Sequence, residues 1–341
     1  MSKLQDSGRR ERIPGPDDFG PEALSYASCG VNVPAYNLLL EEVKPLLATA
    51  RGERTVSGVG PFAGLYSLAQ GSGYLAASAD GVGTKIKVAI AANQHRGIGF
   101  DLVNHCVNDI ATSGAQPLFF LDYLAFGQLD GAVFKQIIAG LVEACRAVGC
   151  ALLGGETAEM PGTYALGDYD LAGFIVGHLA EGVKREAVLA GDLLIGLPAD
   201  GLHSNGYSLV RRVFEGVELD TLYPELGRPL GEELLTPHRC YLQELNQLVW
   251  KAAAHITGGG LIDNLPRALP EGLAAELDIS AWEPPAIFPL IAERGQVARE
   301  EMFRTFNMGL GMVLVSAQPI AGYPVVGRVV KQSGEPRVIL A

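Results

Sequence analysis

The chain has 341 residues, 48% of them hydrophobic, and a formal net charge of −12. Such length and apolar content argue against a disordered protein and for two domains with sizeable cores. The acidic balance argues against a nucleic-acid binder, because no basic face is available to meet phosphates. Five cysteines without a C-x-x-C, and six histidines without zinc spacing, fit reduced thiols and no structural zinc. No apolar leader and no apolar run of about 18 residues is present, so a cytoplasmic protein without a membrane span is expected.

Residues 1–22 read as a flexible lead-in, followed by an N-terminal domain over 23–180 and a second domain over 181–341. Asn32-Val33-Pro34 caps a helix that is expected to end near Lys44, before Pro45. Phe62–Ala69 and Tyr74–Ala79 read as paired strands. The second runs into Asp80-Gly81-Val82-Gly83-Thr84-Lys85. Glycines let backbone amides approach a phosphate, Lys85 offers a cation and Asp80 a metal ligand. The order Thr-Lys is not a Walker loop, and a glycine turn with Asp80 as a cap is the plainer alternative.

Ile98–Ser113 is a helix with two stripes. Val103, Cys106, Val107 and Ile110 form a core face, while Asp101, Asn104, His105, Asn108, Asp109 and Thr112 form a wholly polar one. A solvated face usually carries long charged chains; these short ones suit a pre-organised site. Leu118–Phe126 reads as a strand and Ala132–Val148 as a helix. Ala151–Leu153 is a strand entering the loop Gly154-Gly155-Glu156-Thr157-Ala158-Glu159, whose acids after a strand are site-like. Tyr169–Leu179 and Asp192–Leu197 are further strands. The latter leads to His203-Ser204-Asn205-Gly206-Tyr207-Ser208 at a helix start, a place suited to an anion or simply a cap. Thr236-Pro237 starts a helix expected to reach Lys251. His255-Ile256-Thr257-Gly258-Gly259-Gly260 is a second glycine turn. Short helices are expected over Pro284–Glu293 and Val297–Arg304, a strand over Val313–Ser316, and a closing hairpin of Val325–Val330 with Arg337–Leu340. Gly58-Val59-Gly60-Pro61-Phe62-Ala63 imitates a dinucleotide fingerprint, but Pro61 and the strand after it argue against one. Strands and helices alternate in both halves, so the class is α/β (or α+β) in two domains.

Laid side by side, ADGVGTK (79–85), GFDLVNHCVND (99–109), PLFFLDY (117–123), GGETAEMPG (154–162), HSNGYSLVR (203–211), HITGGG (255–260) and RTFNMGLGM (304–312) resemble the phosphoribosylformylglycinamidine cyclo-ligase family, in the family's order and over roughly residues 24–340. The resemblance implies an N-terminal half-barrel domain that pairs across a homodimer and a C-terminal α/β sandwich domain. It implies ATP-dependent ring closure of formylglycinamidine ribonucleotide to 5-aminoimidazole ribonucleotide, a step of purine synthesis, with Mg2+. Asp80, Lys85, Asp109 and His203 are then the expected catalytic groups, with Asp80, Asp109 and Glu156 on Mg2+. Lys44, Gly81, Gly83, Thr84, Lys85 and Asn108 are expected on ATP. Gly155, Glu156, Ser204, Asn205, Gly258, Gly259 and Asn307 are expected on the substrate. Asn32, Tyr36 and Cys29 depart from residues usual in the family, which puts the surroundings of Lys44 in doubt. A sister enzyme resembling thiamine-monophosphate kinase or selenophosphate synthetase is the alternative, and a silent nucleotide-binding protein a further one. The paired HSNGYS and HITGGG motifs disfavour the first. Retention of Asp80, Lys85, Asp109 and Glu156 disfavours the second.

Overall fold

The structure is a computed structural model and describes residues 24–57, 60–69, 71–183 and 185–341. The expected lead-in over 1–22, and Gly58-Val59 of the glycine-rich decoy, lie outside them. The first half comprises α1 (Val33–Ala48), β1 (Gly64–Ser67), β2 (Tyr74–Gly81), α2 (Lys85–Ala92), α3 (Arg96–Ala111), β3 (Gln116–Phe126), α4 (Gly131–Ala147), β4 (Ala151–Glu159) and β5 (Tyr169–Leu179). The second comprises β6 (Leu193–Pro198), α5 (Tyr207–Val213), α6 (Leu230–Leu234), α7 (Leu242–Gln247), β7 (Ala252–His255), α8 (Gly260–Asn264) with a 3-10 turn at Leu265–Ala268, β8 (Leu273–Leu277), α9 (Ile287–Gly295), α10 (Arg299–Thr305), β9 (Leu310–Ser316), β10 (Val325–Lys331) and β11 (Val338–Leu340).

Five strands form one sheet in the order β1-β2-β5-β3-β4, and six form the other in the order β11-β8-β10-β6-β9-β7. In the first sheet, alternation sends Tyr169, Leu171, Gly173 and Ile175 of β5 under the helices and leaves Asp170, Ala172 and Phe174 on the other side. The same parity runs across the strands. Asp80, Gly173, Asp122 and Gly155 lie in one row facing the helices, while Ala172, Tyr123 and Glu156 lie in a row on the open face. Tyr66, Tyr123 and Phe174 stand exposed on that open face. The two halves share their cores: Ile195, Leu197, Tyr241, Met312 and Leu314 pack with the cluster under the first sheet, and Phe62 and Val88 pack into the second.

Several elements differ from expectation. Helix α1 runs through Pro45 to Ala48. The missing N–H strands only the Glu41 carbonyl, which belongs to an exposed residue, so its loss costs little. Strand β1 is shorter than read, spanning Gly64–Ser67. The Gly154–Glu159 segment is not a loop but the continuation of β4. The helix expected from Thr236 begins only at Leu242, and the closing hairpin is absent, since β10 and β11 both pair with β8. Helices α2 and α6 and strand β8 are additional to the sequence reading.

Helices α3 and α4 cross on two glycines. A Cβ on Gly140 would stand 2.0 Å from the Arg96 carbonyl oxygen, and one on Gly99 would stand 2.4 Å from the Leu141 nitrogen. Both neighbours are backbone and cannot yield. Gly140→Ala is therefore expected to lower unfolding stability by about 1–3 kcal/mol, read as a lower urea midpoint. An unchanged midpoint would mean that the crossing is looser than described.

Candidate active site

Strand β2 ends at Gly81, and Gly83, at φ +71, turns the chain into α2. The half-exposed Asp80 carboxylate accepts from the Gly81 amide at 2.7 Å and pairs with His105 Nε2 at 2.8 Å. Ser78, two residues earlier on the same face, donates to Asp109 Oδ2 at 3.0 Å. Asp109 Oδ1 takes a hydrogen bond from His255 Nδ1 at 2.8 Å. Asp80 and Asp109 thus meet around His105, as the spacing of the polar stripe implied. Burial opposes charge on His105, but Asp80 and then Asp109 outweigh it and push the imidazole up to about 9. Burial likewise pushes the Asp80 carboxyl up, yet His105 and the Gly81 amide hold it below its ordinary value.

His203, His238 and His255 complete a buried cluster. Burial lowers all three, so each imidazole is neutral and its tautomer follows from its partners. A carboxylate only accepts, so His255 Nδ1 carries the proton given to Asp109. Its Nε2 then accepts from His238 Nε2 at 2.9 Å, and His238 Nδ1 accepts from the Ser204 hydroxyl at 3.1 Å. Three donors in sequence point from Ser204 toward Asp109. His203 stacks on His238 with centroids 4.1 Å apart, and its Nε2 accepts from the Asp200 amide. Its Nδ1 is buried without a partner. Gly311 makes room for that ring: a Cβ there would lie 2.5 Å from His203 Cε1.

Lys85 is not on the cleft surface. It is the first residue of α2, fully buried, with Nζ 2.8 Å from the Asp101 carboxylate and 2.7 Å from the Thr236 carbonyl. The polar stripe of α3 explains why. Asp101 also accepts from the His238 amide, and Asn104 donates to the His238 carbonyl. Asn108 donates to the Arg239 carbonyl and accepts from the Tyr241 amide. Lys85 and Asn108, expected on ATP, instead hold the segment Thr236–Tyr241 of the second half against the first.

The glycine loops of both halves converge beside this clamp. The Thr84 hydroxyl bonds Ser208 at 3.1 Å, and Gly83 lies against the Ser204 carbonyl. Asn205 packs against Gly258, with its Nδ2 buried and unpartnered. Gly259, at φ +94, starts α8. Asn264 donates to the carbonyls of Thr257, Gly258 and Gly260 and so shapes that loop. Arg267 donates to Asn264 and to the carbonyls of Gly60 and Pro61. Asn307 is buried, donating to the Gly201 carbonyl and accepting from Gly309, so it braces its own loop. Lys44 pairs with Glu41 on the exposed helix α1. Glu156 does not join Asp80 and Asp109, because it lies with Tyr123 on the opposite face of the sheet. Gly155 is on the helix-facing side beside Asp122, whose carboxyl burial pushes up. His238 carries no site signal in the sequence, because its place is set by partners on separate elements: Asp101 and Asn104 of α3, Ser204 and His255.

Two family models match the chain: AIR synthase related protein, N-terminal domain, over residues 62–179, and AIR synthase related protein, C-terminal domain, over 190–321. Phosphoribosylformylglycinamidine cyclo-ligases from a Thermoanaerobacter species and from Thermoanaerobacter pseudethanolicus are each 46% identical over 301 residues, covering 86% of this chain and 90% of theirs. The solved structure of AaThiL complexed with AMPPCP and TMP is similar with a TM-score of 0.65 at 16% identity, covering 89% of this chain and 92% of that one. Thiamine monophosphate kinase from Aquifex aeolicus gives 0.61 at 17% identity, with 91% and 98% covered.

Two outcomes are expected from the geometry. In nuclear magnetic resonance titrations, His105 should stay protonated at neutral pH and titrate near 9, and Asp80→Asn should lower that value. The folded value exceeds the ordinary 6.5, so the stability His105 contributes is fully present below about 6.5 and lost as pH rises through about 9. A His105 signal already neutral at pH 7 would contradict the pairing. Lys85→Met leaves the buried Asp101 charge without its partner, and about 3–5 kcal/mol of unfolding free energy should go with it. An unshifted urea midpoint would place Lys85 back in solvent.

Proposed function

The chain belongs to the AIR synthase-related family and within it to the phosphoribosylformylglycinamidine cyclo-ligases, and from that premise we propose that it closes the imidazole ring of formylglycinamidine ribonucleotide with ATP, giving 5-aminoimidazole ribonucleotide, ADP and phosphate. The observation that carries this reading is the 46% identity that extends over 86% of the chain. The alternative of a thiamine-monophosphate kinase rests on structures at 16–17% identity, which support a common fold alone.

An amide oxygen is a poor leaving group. Transfer of the γ-phosphoryl of ATP to that oxygen makes it a good one, after which the amidine nitrogen attacks the carbon and phosphate departs. The chain's task is positioning and charge balance. Asp80, half-exposed and held ionised, offers the hard oxygen donors that Mg2+ requires. Asp109 accepts two hydrogen bonds, from Ser78 and His255, out of the roughly four acceptor sites of a carboxylate. We assign Mg2+ to these two acids; when bound, it neutralises charge on the ATP phosphates. Gly81, Gly83 and Thr84 are proposed to face the nucleotide, and His203, Ser204, Asn205, Gly258 and Gly259 the substrate. The unpartnered His203 Nδ1–H and Asn205 amide supply hydrogen-bond donors there. Lys44 is proposed as a further phosphate contact, since its only described partner is Glu41 on the same exposed helix. The aromatic residues on the open face of the first sheet support pairing of two copies. No helix among the described residues is long and apolar enough to cross a membrane.

The folded protein should release ADP from ATP only with formylglycinamidine ribonucleotide and Mg2+ both present, with aminoimidazole product formed in equal amount. ADP release driven by thiamine monophosphate instead, or no aminoimidazole product, would sink this reading.

A further inference from the structure

Helix α4 ends in a way that brings two thiols together. Gly149 takes φ +66, which a residue with a side chain rarely adopts. The Cys150 amide then donates to the Cys145 carbonyl at 2.9 Å, and the Gly149 amide to the Arg146 carbonyl at 3.2 Å. These are the two bonds of a Schellman ending, with Cys145 three positions inside the helix end and Cys150 two beyond the cap. That ending makes the side chains at those two positions meet, usually as an apolar contact. Here both are cysteines, near enough to shift each other's protonation, Cys145 upward and Cys150 downward.

We infer that Cys145 and Cys150 form an oxidisable dithiol, which a hydroperoxide converts to an intramolecular disulfide stapling the end of α4 to the start of β4. The site needs neither ATP nor the ring-closing substrate and stands apart from the proposed reaction. The neighbouring Cys145 lowers Cys150 from the ordinary thiol value and favours its thiolate as the attacking group. The Cys150 thiolate attacks one peroxide oxygen and the O–O bond breaks, leaving a sulfenic acid and, after proton uptake, water. The Cys145 sulfur then attacks Cys150, the S–O bond breaks and a second water leaves. Two thiols are oxidised and one hydrogen peroxide is reduced to two waters.

Cys106, packed in the same core, is a poor competitor. It is wholly buried, its thiol is pushed well above the ordinary value by burial, and it donates to the Gly173 carbonyl. Cys150, by contrast, immediately precedes β4, the last strand of its sheet, and at 6% exposure against 0% for Cys106 it is the less enclosed thiol. The staple would anchor the strand that carries Gly155 and Glu156.

The test uses the full chain. Reduced protein is treated with hydrogen peroxide, remaining thiols are alkylated after unfolding, and tryptic peptides are weighed. Trypsin cuts after Arg146 and separates the two cysteines, so the disulfide appears as two linked peptides that dithiothreitol releases. Two of the five thiols should disappear together, with Cys29, Cys106 and Cys240 still alkylated. In Cys145→Ser, Cys150 should stop at a sulfenic acid that dimedone traps. Five alkylated cysteines after peroxide treatment would overturn the inference. So would a disulfide to Cys106, or oxidation of Cys150 beyond sulfenic acid without linkage in the wild-type chain.

Discussion

A lysine ammonium with no access to water must find both a counter-charge and acceptors, and Lys85 finds them in Asp101 and the Thr236 carbonyl. That requirement fixes much else. Asp101 belongs to α3 and Thr236 to the second half, so one buried pair sets α2, α3 and the incoming segment against each other. Asn104 and Asn108 extend the grip along the next turns of α3. The shared cores on either side leave no slack between the halves. The loops that meet at Ser204, Gly258 and Gly83 are therefore held by a rigid joint.

The stripe on α3 divides its residues between two tasks. Asp101, Asn104 and Asn108 bind backbone groups of Thr236–Tyr241. His105 and Asp109, one position further round, hold the charges of the site. Four histidines crowd there, yet only His105, set between two carboxylates, gains protonation. In the others burial wins: His238 and His255 form a directed line of hydrogen bonds, and His203 stacks on His238. Two acids with one imidazolium leave a net negative patch, the balance expected where a divalent cation brings ATP.

How far the sequence speaks depends on whether a signal is local. Helix α4 is legible from its one buried face, α3 from two stripes at helical spacing, and β2 and β5 from their apolar runs. The Asp80–Asp109 pairing was legible because both sit on patterned elements. The helix expected from Thr236 was not, although Thr-Pro is a sound start signal. The carbonyls of Thr236, His238 and Arg239, which a helix would use internally, are claimed by Lys85, Asn104 and Asn108. Lys85 itself misled, since a cation after glycines reads alike whether it turns outward to phosphate or inward to Asp101.

Glu156 shows how finely such placement is decided. Phe120 pairs with Leu152 but Leu121 pairs with Gly154, so Leu153 is an extra residue in β4. Without it, strict alternation would place Glu156 opposite Leu124, on the helix face. With it, Glu156 turns to the open side with Tyr123. Gly154, at φ +152, supplies the backbone freedom for that bulge. The two faces of the sheet are thereby kept distinct: Ser78, Asp80 and Asp122 on the side roofed by α3, and Glu156 on the open side with the rings of Tyr66, Tyr123 and Phe174. One inserted residue in an edge strand exchanges a carboxylate between them, and no reading of composition or motif reveals on which side it falls.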